Sequence, residues 1–276
     1  MKKFKDKTAI VTGGASGIGR AMCDSLARHG AIVIVADINM DGAKRVSESI
    51  VSSGGRATAV KLDVTKNDDV QKIIKDTAQK HGHLDYMFNN AGIGIIGDER
   101  DKTLDDWRKV ININLMGVVY GTLAAYSVMV KQGFGHIVNT ASIAGLIPAP
   151  TEVAYGAVKH AVVGLSTSLR AEGSAIGVKV SAICPGVIRT PFFDASREVN
   201  SKMDEFLTTL NPVTMNDVDR AASIILRGVA CNKALIVFPF HTRFAWWMNR
   251  LDPRIMGLFG RYNMWRFRKI TRKSEA

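Results

Sequence analysis

The sequence predicts a doubly wound α/β fold, in which helices cover both faces of a parallel β-sheet. Short apolar runs rich in β-branched residues alternate along the chain with longer segments of helical periodicity. Such regular alternation is typical of parallel sheets. One run, residues 31–36, is almost entirely apolar, as expected for a strand covered on both faces. The length of 276 residues suits one large core with a tail.

The predicted elements follow one another in a regular order. We expect strands at residues 7–11, 31–36, 57–62, 84–88, 136–139, 179–183 and 234–238. The helices between them are expected at residues 18–29, 41–53, 67–80, 104–131, 153–175 and 216–230. Because ligands of such sheets bind beyond the carboxyl ends of the strands, the loops that follow the strands are the places to search for chemistry.

The net charge of +12 is unevenly distributed along the chain. Nine lysine and arginine residues but only two acidic residues follow residue 240, so more than half of the positive excess belongs to a short tail. A nucleic-acid partner would require basic and aromatic residues on the body of the protein, and we therefore expect none. We divide the chain into a domain at residues 1–240 and a basic, aromatic extension at residues 241–276.

Cysteine usage and hydropathy indicate the compartment. Cys23, Cys184 and Cys231 lie far apart and form no metal-binding pair, which is typical of reduced thiols in the cytoplasm. The basic N-terminus leads into a short strand and has no signal-peptide pattern. No stretch holds the roughly 18 uninterrupted apolar residues of a membrane-spanning helix. We expect a cytoplasmic protein that is attached at most to a membrane surface.

A glycine-rich loop connects the first predicted strand to the first helix. The sequence GGASGIG spans residues 13–19 and places its key glycines at Gly13, Gly17 and Gly19. Glycine permits a tight turn and lets a pyrophosphate approach helix N–H groups, whose partial positive charge attracts it. An ordinary turn is the alternative. The position between a strand and a helix favours a dinucleotide site, with Ser16 and Ile18 as further contacts.

The second strand ends at Asp37. A carboxylate here can accept hydrogen bonds from an adenosine ribose and would repel a 2′-phosphate, which favours NAD over NADP. Helix capping is the alternative role for Asp37. We expect Asp63 at the adenine edge and the segment 89–92 along the cofactor cleft. The predicted cofactor contacts in these loops are Asp37, Asp63, Val64, Asn90, Ala91 and Gly92.

Four polar residues form the candidate catalytic set. Tyr155 and Lys159 lie four residues apart on a predicted helix and so share one face, although such pairs also occur on ordinary helix surfaces. A free phenol with a pKa of about 10 is a poor proton shuttle near neutral pH, and a nearby lysine cation lowers that pKa. Ser142 follows a strand and can bind a substrate oxygen. Asn114 is a mediocre helix former within the long helix, which indicates a side-chain or local-bend role.

These motifs and their order along the chain resemble those of the short-chain dehydrogenase/reductase family. Its members are single-domain enzymes with the Rossmann form of the doubly wound sheet. The resemblance covers roughly residues 5–240. It rests on the glycine loop beginning at Thr12-Gly13, on Asp63 and Asn89-Asn90-Ala91-Gly92, and on Asn114, Ser142, Tyr155-x-x-x-Lys159, Pro185-Gly186 and Thr190.

The resemblance implies a role for each matching residue. Tyr155 would protonate a carbonyl oxygen during reduction or deprotonate an alcohol during oxidation, and Lys159 would bind the nicotinamide ribose and lower the pKa of Tyr155. Ser142 would orient the substrate oxygen, and Asn114 would hold a water in a proton relay. The nicotinamide end of the cofactor would contact Pro185, Gly186, Val187 and Thr190. The resemblance also implies a homodimer or homotetramer formed through the helices that carry Asn114 and Tyr155.

Substrate selection is expected to fall to residues 92–97, 146–152 and 192–214. These segments contribute a mainly apolar rim made of Gly94, Ile95, Ile96, Leu146, Ile147, Phe192, Phe193 and Phe206. The rim predicts a small hydrophobic alcohol or ketone as the substrate. The extension mixes aromatic and basic residues, which suits a membrane interface, packing against a subunit or a cover over the active site.

Other functions are less well supported. An NAD-binding protein without turnover would not need the complete catalytic set. The same chemistry with NADP on a hydroxyacyl or steroid-like substrate remains an alternative, whereas epimerase chemistry on nucleotide sugars needs a larger substrate region. We expect no metal site, because His81 and His83 have no further ligands at suitable spacing, and a structural role for His160 and Cys184.

Overall fold

The computed structural model describes residues 2–190, 192, 196–199 and 217–272. Its strands are β1 (Thr8–Thr12), β2 (Ile32–Asp37), β3 (Arg56–Lys61), β4 (Tyr86–Asn89), β5 (Ile95–Ile96), β6 (Gly135–Thr140), β7 (Val178–Pro185), β8 (Arg197–Glu198) and β9 (Leu235–Phe238). Seven of them form one sheet in the order β3-β2-β1-β4-β6-β7-β9, and β5 pairs with β8. Every pairing is parallel. The predicted doubly wound parallel sheet is confirmed.

The helices between the strands lie where the apolar periodicity predicts them, with ends shifted by at most two residues, apart from the division of the long central helix; no bounds were predicted for the two helices of the extension. They are α1 (Gly17–Arg28), α2 (Met40–Ser52), α3 (Asn67–His81), α4 (Leu104–Ile111), α5 (Gly117–Gln132), α6 (Val153–Gly173), α7 (Val218–Ala230), α8 (Phe240–Leu251) and α9 (Pro253–Arg272). Local chemistry sets several ends: the Thr103 hydroxyl and Asp106 carboxylate form a reciprocal capping box at the start of α4, and Gly133 adopts a left-handed conformation just after α5.

The apolar core consists of two layers, one on each face of the sheet, because successive residues of a strand point to opposite faces. In β1, Ala9 and Val11 pack with α1, α2 and α7, whereas Ile10 packs on the other face with α3, α5 and α6. All five residues of β1 are buried. Covered on both faces, the central strands can be apolar throughout, which explains their continuous hydrophobic runs.

The long central helix contains a wider turn. One helix is predicted over residues 104–131, and the structure has α4 and α5 joined by a π-helical segment at Asn112–Met116. By length and composition alone the whole stretch Leu104–Gln132 could cross a membrane. Within the fold its buried residues pack on the sheet, as Ala125 and Met129 do beside Ile137. Its apolar character is therefore that of a core helix.

The extension folds into α8 and α9, which lie against the body of the protein. Phe267 of α9 is buried, and its neighbour Arg268 binds the Asp98 carboxylate with an Nε–Oδ2 distance of 2.7 Å. In α8 the Asn249 side chain donates a hydrogen bond to the carbonyl of Leu146, and Trp246 packs in the same cluster as Leu146. The inner side of the extension thus covers the loop after β6, which belongs to the predicted substrate region.

Candidate active site

A cavity of about 600 Å³ lies at the carboxyl ends of the sheet strands. All of the predicted cofactor contacts line it, namely Gly13, Ser16, Gly17, Ile18, Gly19, Asp37, Asp63, Val64, Asn90, Ala91, Gly92, Tyr155, Lys159, Pro185, Gly186, Val187 and Thr190. Ser142 lines it as well, whereas Asn114 lies buried behind the wall. The fold therefore brings together residues that are far apart in sequence, as the switch-point rule for doubly wound sheets predicts.

The glycine loop forms a cradle for a phosphate group at the start of α1. Gly13 has a φ of +67° and Gly17 a φ of +52°, conformations that side chains other than glycine rarely adopt. A Cβ atom at Gly19 would lie only 2.0 Å from the carbonyl oxygen of Gly13. These positions leave the first turn of α1 open, and its N–H groups carry the partial positive charge that attracts a pyrophosphate.

Asp37 fixes this loop to the end of β2. Its Oδ2 accepts a hydrogen bond from the backbone N–H of Ala15 at 3.0 Å, and its Oδ1 accepts one from Asn39 at 2.9 Å. The N-cap of α2 is Asn39, whose side chain accepts a hydrogen bond from Gly42. Asn39 therefore caps α2, which was the alternative role considered for Asp37. The Asp37 carboxylate lies on the cavity wall.

Asp63 is held in its charged form at the end of the same wall. Its Oδ1 accepts hydrogen bonds from both the hydroxyl and the backbone N–H of Thr65, at 2.7 and 2.9 Å. These two hydrogen bonds lower the pKa of the Asp63 carboxyl. An ionised acceptor is therefore available where the adenine edge is expected.

Asn90 ties the central strands together at the floor of the cavity. Its side-chain amide donates to the carbonyl of Thr12, and its Oδ1 accepts from the hydroxyl of Thr140. The Thr12 hydroxyl in turn accepts hydrogen bonds from the backbone N–H groups of Asn90 and Ala91, at 2.9 and 3.1 Å. This cross-linking holds the ends of β1, β4 and β6 in one fixed geometry.

Asn89 does not line the cleft, although the whole segment 89–92 was expected to do so. Its side chain is buried and donates to Asn139 Oδ1 at 2.8 Å and to the Thr122 hydroxyl. As the last residue of β4, Asn89 points to the opposite side from Asn90, because successive side chains of a strand alternate. It stabilises the packing of α5 on the sheet.

Tyr155 and Lys159 occupy one face of α6, as their spacing predicts. The Lys159 ammonium lies 5.3 Å from the centroid of the Tyr155 ring and donates a hydrogen bond to the Thr140 carbonyl at 2.7 Å. Burial disfavours the charged amine and lowers the pKa of Lys159 to about 8. The interaction with Thr140 directs the ammonium toward the cofactor end of the cavity.

The expected lowering of the Tyr155 pKa by Lys159 stays a prediction. Burial, with the charge of Glu152 as a lesser cause, raises the pKa of Tyr155, and a hydrogen bond with Ser142 opposes this shift. The Lys159 ammonium lies over the face of the ring and donates a hydrogen bond to the carbonyl of Thr140. A positive charge close to the hydroxyl would lower this pKa and favour the phenolate.

Asn114 lies in the π-helical segment and is fully buried. Its Nδ2 donates to the carbonyl of Ile93 at 2.7 Å, and its Oδ1 accepts from the N–H of the same residue at 2.8 Å. A Cβ at Gly92 would contact both Asn114 and Lys159. The reciprocal pair thus holds residues 92–93 beside Lys159, and the expected part of Asn114 in a proton relay stays a prediction.

The apolar rim differs in part from the one expected. Ile96, Ile147 and Phe192 line the cavity, and the Phe192 ring centroid lies 5.9 Å from that of Tyr155. Ile95 packs away from the cavity in a separate cluster, and Leu146 packs against Trp246 of α8. Gly94 does not line the cavity either. Phe193, Phe206 and most of residues 192–214 lie outside the described residues.

Glu152 is a wall residue whose chemistry the sequence analysis did not use. It lies three residues before Tyr155 and lines the same cavity, where burial raises the pKa of its carboxyl to about 7. The short spacing of Glu152 before Tyr155, at the start of the helix that carries Tyr155 and Lys159, is a signal that could have identified it. No group of three possible metal ligands occurs in the part of the chain that the structure describes.

A dinucleotide cleft that ends at a phenol, a hydroxyl and a buried amine can perform acid–base chemistry on an alcohol oxygen beside a redox cofactor. Residues 7–201 match the family of short chain dehydrogenases. The chain belongs to this family of oxidoreductases, and its predicted resemblance to it is confirmed.

Two relatives of the chain are named as dehydrogenases of alcohols on rings. The chain is 38% identical over 190 residues to a cyclohexanol dehydrogenase of Acinetobacter sp. (strain SE19), covering 68% of this chain and 76% of the relative. It is 36% identical over 215 residues to a 2,5-dichloro-2,5-cyclohexadiene-1,4-diol dehydrogenase of Sphingobium indicum, covering 77% and 85%.

Two solved structures resemble the fold. A short chain dehydrogenase/reductase from Burkholderia phymatum in complex with NAD has a TM-score of 0.85 at 28% identity, covering 92% of this chain and 96% of that one. A putative NAD(P)-dependent gluconate 5-dehydrogenase from Beutenbergia cavernae with bound NADP has a TM-score of 0.66 at 35% identity, covering 69% and 76%. Neighbours of this fold thus bind NAD or NADP.

Proposed function

We propose that the protein is an NAD-dependent dehydrogenase that moves a hydride between nicotinamide and a hydrophobic secondary alcohol or ketone. The observation that carries this proposal is that Tyr155, Ser142 and Lys159 line one cavity together with the glycine cradle and an apolar rim. The named activities of the two relatives, both on six-membered rings bearing hydroxyl groups, support an alcohol of this size.

In this proposal each side chain has a defined task. Ser142 holds the substrate oxygen, and its own Oγ is fixed by the N–H of Ala144. Tyr155 accepts the hydroxyl proton during oxidation and returns it during reduction. Lys159 binds the ribose that carries the nicotinamide ring, and Asn114 keeps residues 92–93 beside Lys159. When bound, the nicotinamide exchanges the hydride and, in its oxidised form, supplies a positive charge that favours the Tyr155 phenolate.

The preference for NAD rests on Asp37. Its carboxylate lies on the cavity wall at the end of β2 and would repel the extra phosphate of NADP. NADP with a hydroxyacyl or steroid-like substrate remains the second candidate, and the NADP-bound neighbour from Beutenbergia cavernae favours keeping it.

A dehydrogenase screen tests the proposed function. Purified protein is assayed with NAD and with NADP over cyclohexanol, longer secondary alcohols, sterols, hydroxyacyl compounds and open-chain polyols. We expect NADH formation with the ring and aliphatic alcohols, because Ile96, Ile147 and Phe192 present apolar surface to the substrate. Polyols that outperform ring alcohols would contradict the substrate class. A clear advantage of NADP would contradict the assignment of Asp37.

We also propose that the protein is a cytoplasmic homodimer or homotetramer that pairs through α5 and α6. On α5 the exposed Leu123 and Val130 lie on one side, seven residues apart. On α6 the exposed positions Ala157, Ala161 and Gly164 are small, which allows close approach of a second helix. The free thiols Cys23, Cys184 and Cys231 support a reducing compartment.

We propose peripheral membrane contact for the outer side of the extension 241–276. Apolar side chains recur there at helical spacing and are more than half exposed: Phe240, Phe244, Trp247 and Leu251 on α8, and Leu258, Tyr262 and Trp265 on α9. Asp252 is the sole acidic residue among residues 240–272, and it is paired with Arg254. If a second copy of the protein docked on this surface, the basic side chains of the two extensions would repel each other. An anionic lipid surface instead complements their positive charge.

Vesicle sedimentation of the full chain tests this contact. With phosphatidylglycerol vesicles we expect most of the protein in the pellet, and with phosphatidylcholine alone we expect most of it in the supernatant. The double variant Trp247→Ser/Leu258→Ser is expected to partition about tenfold or more weakly, because it removes apolar surface that would enter the interface. Val51→Ser, also exposed but on α2, is the matched control. Supernatant protein with both lipids, or an equal loss in the control, would contradict the proposal.

A further inference from the structure

Glu152 is the N-cap residue of α6, and it lines the same cavity as Tyr155 and Lys159 of that helix. Lys159, four residues after Tyr155, is directed toward Thr140 and the cofactor end of the cavity. Glu152 precedes Tyr155 by three residues and lies at the start of the helix, on the other side of Tyr155 along the chain. A substrate whose reacting oxygen contacts Tyr155 would therefore extend toward Glu152.

Within the described part of the chain, the carboxyl of Glu152 has no hydrogen-bond partner that would explain its position. Its backbone accepts the first hydrogen bond of α6 from Gly156, but its side chain caps no helix N–H group. Among the residues that the structure describes, none donates a hydrogen bond to this carboxyl. Burying a carboxyl without hydrogen bonds is unfavourable, and the raised pKa of Glu152, about 7, reflects that cost.

The cation whose charge acts on Glu152, Lys102, is engaged elsewhere. Lys102 acts on the charge of Glu152, but its Nζ donates to the carbonyl of Thr151 at 2.7 Å and lies 3.4 Å from Glu99 Oε2. Lys102 is therefore part of a separate contact that holds the loop before α6. Its positive charge also disfavours a second cation in this part of the cavity.

We propose that Glu152 accepts a hydrogen bond from a second hydroxyl group of the substrate, so that the preferred substrates are otherwise apolar ring alcohols with a second hydroxyl on the far side of the ring. A hydroxyl satisfies the carboxyl without bringing in charge, whereas an ammonium group would have to be desolvated beside Lys102. The remaining wall, with Ile96, Ile147 and Phe192, accommodates the ring. This inference rests on the proposed function and narrows its substrate class.

The test compares two alcohols that differ at one position. Cyclohexane-1,4-diol and 4-methylcyclohexanol have the same ring and reacting hydroxyl, but only the diol can donate a hydrogen bond at the far carbon. For the wild type we expect kcat/KM to favour the diol by about tenfold or more, since hydrogen bonds to charged groups have effects of this size. In Glu152→Leu we expect the order to reverse, with 4-methylcyclohexanol oxidised at least as well as by the wild type.

Two further variants separate recognition from structural damage. Glu152→Gln keeps an acceptor oxygen and should retain part of the preference for the diol. Glu172→Leu makes the Leu change at an exposed position near the other end of α6 and should leave both substrates unaffected. No preference in the wild type, or an equal loss for both alcohols in Glu152→Leu, would overturn the inference while leaving the dehydrogenase assignment intact.

A binding measurement keeps the inference testable if neither alcohol is oxidised, a result that would itself refute the proposed function. Calorimetry of the protein saturated with NADH then compares the affinities for the diol and for 4-methylcyclohexanol. Tighter binding of the diol, lost in Glu152→Leu, supports the subsite. Equal affinities in the wild type overturn it.

Discussion

Tyr155→Phe is expected to lower kcat by about a thousandfold or more, since general acid–base catalysis contributes roughly 10²–10⁴ and the substitution removes the only proton that the phenol can exchange. The ring remains, so the Phe192 contact and the position of Lys159 over the ring should persist. NADH binding, followed by its fluorescence, is expected to change far less than kcat, because the many other cofactor contacts in the cleft remain and the proton transfer is lost.

The matched control for this experiment is Tyr126→Phe. Tyr126 is a partly buried tyrosine of α5 that packs on the core and does not line the cavity. Its loss of a hydroxyl should leave kcat unchanged. Substantial turnover in Tyr155→Phe would show that another group moves the proton, and the role assigned to the Tyr155–Ser142 pair would then be wrong. Loss of both turnover and NADH binding would indicate that the substitution damages the cleft.

The second large effect is expected at Asp37, where two substitutions separate charge from hydrogen bonding. Asp37→Asn removes the negative charge but keeps an oxygen that can accept the N–H of Ala15. We expect it to improve NADP binding by about tenfold or more, because the repulsion of the 2′-phosphate disappears. Asp37→Ala also removes the acceptor for the ribose and for Ala15, and should weaken NAD binding by roughly ten- to a hundredfold. Kd values for both dinucleotides measure these changes.

Asp63→Asn is the control for the cofactor experiment. Asp63 lies on the same cavity wall but is held by Thr65, and it is expected at the adenine, where NAD and NADP are alike. Its substitution should therefore change the two affinities by the same factor. If Asp37→Asn leaves the ratio of the NAD and NADP affinities as it is in the wild type, electrostatic exclusion by Asp37 is not the source of cofactor preference.

Features with local physical causes were predictable from the sequence. Strand and helix order follows from apolar periodicity, and the direction of each side chain along α6 follows from the 3.6-residue helical repeat. For that reason the shared face of Tyr155 and Lys159, and the glycine loop between β1 and α1, could be inferred without coordinates. Asn114 lay between these cases: its poor helix propensity indicated an irregularity, which the structure identifies as a π-helical segment.

Features that depend on contacts between distant parts of the chain were not predictable. Asn114 pairs with Ile93, which lies 21 residues earlier, and Asn89 binds Asn139, 50 residues later. Neither partner leaves a periodic signal. The same holds for the apolar rim, since packing against Trp246 of the extension removed Leu146 from it. For Tyr155, burial raises the pKa, and a sequence motif carries no measure of burial.

The sequence by itself determined the parallel sheet, the family of oxidoreductases and the residues that meet at the carboxyl ends of the strands, because these depend on short-range periodicity and spacing. Tertiary structure alone decided the environment of those residues. It assigned the cap of α2 to Asn39 and not to Asp37, left the partly buried Glu152 carboxyl without a hydrogen bond from any residue that the structure describes, and turned one side of the extension inward and the other outward. Desolvation and hydrogen-bond partnership arise only when distant segments pack, and they set the charge state and the availability of each group.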